Sequence, residues 1–366
     1  IMDDLLFMQK ALDLAARGIG FTSPNPMVGA VVVSNNLIVG EGWHQSAGKA
    51  HAEVVAIDNA GFEARNSTLY VNLEPCNHTG RTPPCTDKII ESGLKRVVIA
   101  MRDPNPLVTG NGIEKLLNNG IEVTVDICKE EAKKLNEYFI KYIKTTTPYT
   151  IVKCAATLDG RIASENGDSK WITGIQSRQY VHEIRHSVDA ILVGIGTVEK
   201  DNPHLTTRLG NKTGSDPIRI ILDSRLSINE DAAVLESSLI SKTIIVTGSH
   251  VNKEKKARMI EQGIEFIKAP LSNGNIDMAV LNVLLGQRGI TSLLIEGGSK
   301  IIGSAFASNI VDKICFFYAP KIFGGNSGIP ISTGKGCHLM SDCLNVADIK
   351  IHQFENDIMI EGYPQY

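Results

Sequence analysis

The sequence predicts an α/β fold divided into two domains, and three observations support this. A length of 366 residues exceeds the usual size of one domain. Short β-branched runs alternate with helical patterns along most of the chain, which is typical of sheets covered by helices. The segment 144–148, Lys-Thr-Thr-Thr-Pro, combines β-branched residues with a proline that stops a helix. We therefore expect domains at residues 1–146 and 147–366.

The first half begins with a predicted helix over 4–18, where apolar residues recur at helical spacing until glycines end it. Periodicity and turn residues then predict the remaining elements of this half in a strand–helix series. They are strands at 27–33 and 37–42, helix 51–60, strand 68–73, helix 84–92, strand 96–101, helix 112–118, strand 121–126 and helix 129–143.

The second half continues the alternation. Its predicted strands are 149–156, 189–194, 218–223, 243–247, 264–267 and 291–295, and its helices are 176–186, 252–262, 277–286 and 299–307. Three further strands near 313–318, 346–352 and 357–361 have no helices between them, so we expect them to add antiparallel edge strands.

Composition limits the possible functions. A net charge of −3 argues against a nucleic-acid or anionic membrane surface as the main partner, and no apolar run approaches the length of a membrane span. The acidic start of the chain leads directly into an amphipathic pattern, which is unlike a signal peptide. Seven cysteines in such a chain suit reduced thiols. We expect a soluble cytoplasmic protein.

The clearest chemical motif is His51-Ala52-Glu53 followed by Cys76 and Cys85, each cysteine preceded by proline. One histidine and two cysteines can hold Zn²⁺ as three protein ligands and leave the fourth tetrahedral position to water. Glu53 could then take the proton of that water and pass it to a leaving amine. A single His or Cys is usually structural, but the joint pattern is typical of zinc base deaminases. A structural zinc site usually has a fourth protein ligand instead.

The segment from Pro75 to Cys85, Pro-Cys-Asn-His-Thr-Gly-Arg-Thr-Pro-Pro-Cys, resembles that of the riboflavin-pathway deaminases, as do the segments 23–29 and 42–44. Other zinc base deaminases carry Cys-x-x-Cys, whereas eight residues separate these two cysteines. The resemblance implies a cytidine-deaminase-like three-layer α/β/α domain. It also implies substrate contacts from Asn25, His44, His78 and Arg81, with Arg81 at the ribose phosphate.

That resemblance implies hydrolytic loss of the amino group at C2 of 2,5-diamino-6-ribosylamino-4(3H)-pyrimidinone 5′-phosphate, with zinc activating the water and Glu53 relaying its proton. Ammonia leaves, and the product is the corresponding 5-amino-6-ribosylaminouracil phosphate.

The second half resembles the riboflavin-pathway reductases, whose fold is similar to dihydrofolate reductase. The matching segments, in order, are 153–163, 169–173, 185–197, 201–208 and 295–299. The Gly194-x-Gly196 and Gly297-Gly298 pairs follow strands and precede helices, where backbone amides can approach a pyrophosphate. Neither pair completes Gly-x-Gly-x-x-Gly, and such a pair alone is more often a turn.

This resemblance implies an NADPH site and a ribosyl substrate site. It places NADPH at Ala155, Trp171, Thr197, Asp201, Ser224 and the 298–304 turn with Gly298 and Ser299. It places the substrate at Ser169, Arg185, Leu205, Arg208 and Glu296, with the two arginines suited to a phosphate. Lys153 and Glu296 are the polar pair expected at the reacting ribose. The choice of NADP over NAD comes from the family and not from the residues.

Two other functions remain open at this point. A nucleic-acid or free-base zinc deaminase with an unrelated second domain would share the His-x-Glu and Pro-Cys core, but the cysteine spacing and net charge oppose it. A zinc-stabilised binding module with an inactive second half would leave Glu53 and Lys153 without a role. We expect small phosphorylated pyrimidines as partners, no nucleic acid, no membrane and a homo-oligomer.

Overall fold

The protein forms two compact units in the computed structural model, Ile1–Thr146 and Thr147–Tyr366. The structure describes residues 2–78, 83–106, 108–210, 213–236 and 241–366. Within these ranges, no helix has the length and apolar character that crossing a lipid bilayer requires.

Among its described residues, the first unit has five strands and six helices. They are α1 (Met2–Ala16), β1 (Gly29–Ser34), β2 (Leu37–Trp43), α2 (Ala52–Ala60), β3 (Thr68–Leu73), α3 (Cys85–Glu91), β4 (Arg96–Met101), α4 (Asn111–Asn118), β5 (Glu122–Val125), α5 (Lys129–Leu135) and α6 (Glu137–Thr145), with a 3₁₀ turn at Gly61–Ala64. The sheet order is β2-β1-β3-β4-β5. The strand β1 is antiparallel to both neighbours, whereas β3, β4 and β5 are parallel.

Helices cover both faces of this sheet, because alternate residues of its strands are buried in two separate clusters. On one face, Val32, Val71 and Val97 pack with α2, α3 and α4. On the other face, Val31 and Val98 pack with α1 and α5. The three-layer α/β/α arrangement is therefore confirmed.

The helix predicted over 129–143 is instead two helices that meet at Asn136. Asn136 has φ −106° and ψ 23°, so the helix is interrupted there. Its side chain is 1% exposed; it accepts a hydrogen bond from the Met27 N–H at 2.8 Å and donates to the Met27 carbonyl at 2.9 Å. Tertiary hydrogen bonding to a residue 109 positions away therefore overrides the local helical pattern.

The second unit contains thirteen strands and five helices among the described residues. They are β6 (Tyr149–Thr157), β7 (Arg161–Ala163), α7 (Ile175–Ser187), β8 (Ala190–Gly194), α8 (Ile195–Asp201), β9 (Ile218–Leu222), β10 (Thr243–Thr247), α9 (Lys253–Glu261), β11 (Glu265–Lys268), β12 (Leu271–Ser272), β13 (Asn275–Ile276), α10 (Met278–Gln287), β14 (Ser292–Gly297), α11 (Ser299–Ala307), β15 (Lys313–Ala319), β16 (Ile329–Pro330), β17 (Asn345–Phe354) and β18 (Asp357–Gln365), with 3₁₀ turns at Ala233–Leu235 and Met340–Asp342.

Nine of these strands form one sheet in the order β11-β10-β9-β8-β14-β6-β15-β18-β17. The first seven strands in this order, from β11 to β15, are parallel to one another. The antiparallel pairing of β17 and β18 is confirmed, and β17 is the sheet edge. The prediction was wrong for β15, which lies inside the sheet between parallel β6 and antiparallel β18 because its buried residues pack on both faces. The short strands β7, β12, β13 and β16 were not predicted, since two or three residues give no periodicity.

Candidate active sites

The first site lies where three loops of the first unit meet. His51 is the N-cap of α2, Cys76 follows β3, and Cys85 opens α3. The His51 Nδ1 atom lies 3.0 Å from the Cys85 sulfur and 3.6 Å from the Cys76 sulfur, and all three donor atoms lie within 4.8 Å of one another. The three residues of the sequence motif are thus brought together, with the donor set of a zinc site that keeps an open position.

The two thiols act as one acid–base pair. Hydrogen bonding from the Cys85 thiol lowers the pKa of Cys76 to about 4, and the same hydrogen bond raises the pKa of Cys85. The Cys85 backbone N–H also donates to the Cys76 sulfur at 3.3 Å. A cluster that already stabilises one thiolate suits a cation, because metal binding requires deprotonated sulfur.

Glu53 lies two residues after His51, in the first turn of α2, and only 4% of it is exposed. Burial raises the pKa of this carboxyl group. The helix is held against β2 because Gly40 and Gly42 have no side chains: a Cβ at either position would collide with the α2 backbone. The close packing fixes His51 and Glu53 together on one rigid element.

A cavity of about 560 Å³ opens beside this cluster. Its lining includes the predicted residues Asn25, His44, His51, Glu53, Cys76 and His78. His44 is buried, and burial lowers its pKa, so its imidazole is neutral at neutral pH. Its Nδ1 donates to the Ala50 carbonyl at 3.2 Å, so its Nε2 accepts from the Asn25 amide at 3.0 Å. Arg81 lies outside the described residues, so its phosphate contact stays a prediction.

The second site lies at the carboxyl ends of the central strands of the second unit. Lys153 on β6 and Glu296 on β14 are on adjacent parallel strands, and the Lys153 Nζ is 3.8 Å from the Glu296 carboxylate. Their side chains are 16% and 8% exposed. The structure therefore brings together the two residues expected at the reacting ribose.

Arg185 on α7 completes a buried charge cluster that the sequence did not predict. Its Nε and Nη2 donate to the two Glu296 oxygens at 2.7 and 2.9 Å, and its Nη1 donates to the Thr206 carbonyl at 3.0 Å. Burial alone would raise the pKa of Glu296, but the charges of Arg185 and Lys153 outweigh burial and lower it to about 2. Glu296 is therefore a carboxylate at neutral pH, and most of the Arg185 donors are committed to protein acceptors.

A cavity of about 950 Å³ surrounds Lys153 and Glu296. Besides those two, the predicted residues that line it are Ala155, Ser169, Trp171, Thr197, Asp201, Ser224, Gly298 and Ser299. Arg185, Leu205 and Arg208 are not in its lining: Leu205 is buried, and Arg208 is exposed. The Arg208 backbone N–H donates to the Nδ1 of His182 at 3.2 Å, and burial together with Arg185 and Arg208 lowers the pKa of His182 to about 4.

The cavity has features that fit a dinucleotide. Gly194 and Gly298 are the N-cap residues of α8 and α11, and neither helix has a side-chain cap, so their first N–H groups are available for an anion. A Cβ at Gly196 would meet no atom within 4 Å, which leaves room beside this turn. The buried Ser299 hydroxyl has no hydrogen-bond partner among the described residues. These groups could hold a pyrophosphate.

Known proteins resemble the chain over its full length. Residues 148–360 match the RibD C-terminal domain, and residues 2–101 match the cytidine and deoxycytidylate deaminase zinc-binding region. The riboflavin biosynthesis protein RibD of Aquifex aeolicus is 45% identical over 359 residues, covering 98% of this chain and 97% of its own length. The chain belongs to the RibD family.

Solved structures of RibD proteins agree with this assignment. Acinetobacter baumannii RibD superimposes with a TM-score of 0.89 at 35% identity, covering 100% of this chain and 99% of its own. A Thermotoga maritima structure described as a diaminohydroxyphosphoribosylaminopyrimidine deaminase/5-amino-6-(5-phosphoribosylamino)uracil reductase gives a TM-score of 0.86 at 40% identity, with the same coverage. The chain is thus a two-domain deaminase/reductase of riboflavin biosynthesis, and the alternative of a deaminase with an unrelated second domain is not favoured.

Sequence reasoning missed several residues of these RibD sites. Asp103 and Asn105 line the deaminase cavity. They follow β4 at its carboxyl end, where α/β sheets bind ligands, and this position was the available signal. Asn72 and Asn136 both hydrogen-bond the Met27 backbone, which holds the loop that carries Asn25. No local pattern marks these last two contacts.

Proposed function

We propose that this chain deaminates 2,5-diamino-6-ribosylamino-4(3H)-pyrimidinone 5′-phosphate in its first unit and reduces the ribosyl group of the product with NADPH in its second unit. The observation that carries the proposal is the pair of distinct cavities. One is lined by His51, Cys76 and Glu53, with the sulfur of buried Cys85 beside the first two, and the other is lined by Lys153 and Glu296.

In the deaminase site, His51, Cys76 and Cys85 would hold zinc, which supplies a water activated for attack at neutral pH. Glu53 accepts the proton of that water and returns it to the amino nitrogen at C2, which leaves as ammonia. The water oxygen remains on C2 as the carbonyl oxygen of the product. Asn25 and neutral His44, already hydrogen-bonded to each other, orient the pyrimidine together with His78. Arg81 is assigned to the ribose phosphate.

In the reductase site, Ala155, Trp171, Thr197, Asp201, Ser224, Gly298 and Ser299 would hold NADPH, which supplies a hydride for C1′ of the opened sugar. Lys153 donates hydrogen bonds to the sugar, and the ionised Glu296 accepts hydrogen bonds from the sugar. Ser169, Leu205 and Arg208 are assigned to the rest of the substrate. Arg185 is assigned to the substrate phosphate as well, through the donors that Glu296 and Thr206 do not use. Its pairing with Glu296 sets the charge of the site.

The domain boundary and the cellular context belong to the same proposal. We place the deaminase domain at 1–146 and the reductase domain at 147–366, which agrees with the division of the fold into compact units. All seven cysteines are free thiols, which supports a reducing, cytoplasmic location. We also propose a homo-oligomer, with small phosphorylated pyrimidines and no nucleic acid as ligands.

The test supplies the purified chain with the diaminopyrimidine nucleotide, with and without NADPH, and identifies the products by mass. We expect the deaminated nucleotide without NADPH and the ribityl product with it. NADH in place of NADPH tests the cofactor choice. A single-stranded RNA offered in parallel should stay unchanged. Deamination of the RNA, or no change in the pyrimidine nucleotide, would contradict the proposal.

A further inference from the structure

Glu74 is a buried carboxylate to which the proposed chemistry gives no role. It lies between the end of β3 and Cys76, and it is 4% exposed. In the part of the chain that the structure describes, no lysine, arginine or histidine forms an ion pair with it. A buried carboxylate without a cation is costly unless several hydrogen bonds compensate for its lost hydration.

Four backbone N–H groups provide that compensation. Oε2 accepts from Asp103 at 3.2 Å and from Gly110 at 3.1 Å. Oε1 accepts from Gly112 at 3.1 Å and from Ile113 at 3.4 Å. Both carboxyl oxygens of Glu74 therefore accept hydrogen bonds from the backbone.

These contacts make Glu74 the N-terminal cap of α4, provided from another part of the chain. The local cap position is Gly110, which has no side chain and adopts a left-handed conformation with φ 84°. The first turn of α4 also packs directly on the segment before Cys76, because a Cβ added to Gly112 would collide with the Pro75 carbonyl. A negative charge at this helix end is favourable as well.

The segment that Glu74 holds forms one wall of the deaminase cavity. Asp103, Asn105 and Val108 line that cavity. The Asp103 carboxyl accepts a hydrogen bond from the Asn105 backbone at 2.8 Å, and the Thr109 hydroxyl donates to the carbonyls of both residues. Glu74 thus binds both ends of this wall, at Asp103 and at Gly110, and connects them to the segment that leads into the proposed zinc ligand Cys76.

We propose that Glu74 is a positioning residue of the deaminase site, which holds the wall formed by Asp103, Asn105 and Val108 against the metal-binding turn and so sets the affinity for the pyrimidine nucleotide. This inference rests on the proposed deaminase function. In this proposal Glu74 holds the wall in position and takes no part in the proton transfer.

The test compares Glu74→Gln with Glu114→Gln. Glutamine keeps the size of Glu74 but replaces an acceptor with an NH₂ group that faces the backbone donors. Glu114 is an exposed carboxylate on α4 itself, so its variant controls for loss of one negative charge on that helix. Each protein is assayed for deamination kinetics, zinc content, NADPH-dependent reduction and amide hydrogen exchange.

For Glu74→Gln we expect KM for the diaminopyrimidine nucleotide to rise roughly tenfold or more, since hydrogen bonds to a charged acceptor are lost. The kcat should stay within about threefold, as the proton shuttle is untouched. Zinc content and reduction should match the parent. Exchange should accelerate at the amides of Asp103, Gly110, Gly112 and Ile113. Glu114→Gln should show none of these changes.

If Glu74→Gln fails to fold, Gly112→Ala tests the same contact, because its added Cβ would push α4 away from the Pro75 carbonyl. This variant should show the same rise in KM and the same faster exchange. Unchanged KM together with unchanged exchange at the four amides would overturn the proposal, as would a loss of zinc or kcat at constant KM. If the parent protein does not deaminate the nucleotide, the proposed function fails, while the exchange data still decide whether Glu74 holds the wall.

Discussion

Replacing Arg185 by methionine should both destabilise the second unit and change how its stability depends on pH. The substitution removes the two hydrogen bonds from Arg185 to Glu296, and among the described residues it leaves Lys153, at 3.8 Å, as the ion-pair partner of Glu296. Breaking a buried ion pair costs about 3–5 kcal/mol, and the remaining lysine favours the lower end of that range.

The pKa of Glu296 gives a similar magnitude for the loss of stability. It lies at about 2 in the folded protein against an ordinary value of 4.5. At 1.36 kcal/mol per pH unit, this difference stabilises the folded state by roughly 3 kcal/mol. Because the folded pKa is depressed, the contribution is complete above pH 4.5 and is lost as the pH falls toward 2. The stability gap between parent and variant should therefore be about 3 kcal/mol at pH 7 and shrink by about 2 kcal/mol at pH 3.

Urea unfolding followed by tryptophan fluorescence measures this gap. The chain has two tryptophans, Trp43 in the first unit and Trp171 in the second, so a Trp43→Phe background reports on the second unit alone. Arg258→Met, which breaks the exposed pair with Glu230, is the matched control and should leave the unfolding midpoint unchanged. A stability gap that is equal at pH 7 and pH 3 would refute the assignment of the depressed pKa to Arg185.

The remaining predictions concern the two sites and the boundary between the domains. Purified protein should carry about one zinc per chain, and full metal content in a Cys76→Ala, Cys85→Ala double variant would contradict the ligand assignment. Glu53→Gln should retain zinc but lose most deamination, because the amide cannot accept and return a proton; activity within a few-fold of the parent would argue otherwise. Lys153→Met should lower substrate-dependent NADPH oxidation by roughly 10²-fold or more and leave deamination unchanged, and a near-parental oxidation rate would leave Lys153 a structural role only. Fragments divided at Thr147 should each fold, as judged by circular dichroism, and two unfolded fragments would show that the domains are not independent.

The strand–helix series, the zinc motif and the Lys153–Glu296 pair could be predicted from the sequence. The first two depend on local sequence patterns, and the pair depends on the simple topology of an α/β sheet. Zinc ligands are drawn from few residue types, so His51, Cys76 and Cys85 are recognisable together. Lys153 and Glu296 could be paired in advance, because Lys153 is a charged residue inside an apolar strand and Glu296 lies at the carboxyl end of another, where α/β sheets bind ligands. Their roles in catalysis remain predictions.

What the sequence did not reveal depends on contacts between distant residues. The pairing of Arg185 with Glu296 spans 111 positions and requires the placement of α7 over the sheet. Asn136 interrupts a helical pattern only because Met27 offers it backbone partners. Glu74 looks like an ordinary polar residue before the Pro-Cys motif until the fold brings four amides to it. Propensity and periodicity carry no information about such partners.

The salt bridge between Arg185 and Glu296 also limits the source of the second hydrogen in the reduction. A hydride delivers one hydrogen with both electrons, so the reduced sugar must still gain a proton. Glu296, with a pKa of about 2, has no proton to give at neutral pH. In the proposed reduction, we therefore expect Lys153, or water that enters the cavity, to be the acid. Such an enzyme should show no loss of reduction rate through titration of Glu296 anywhere between pH 5 and 8, and solvent deuterium should appear on a heteroatom of the product while C1′ receives its hydrogen from the nicotinamide.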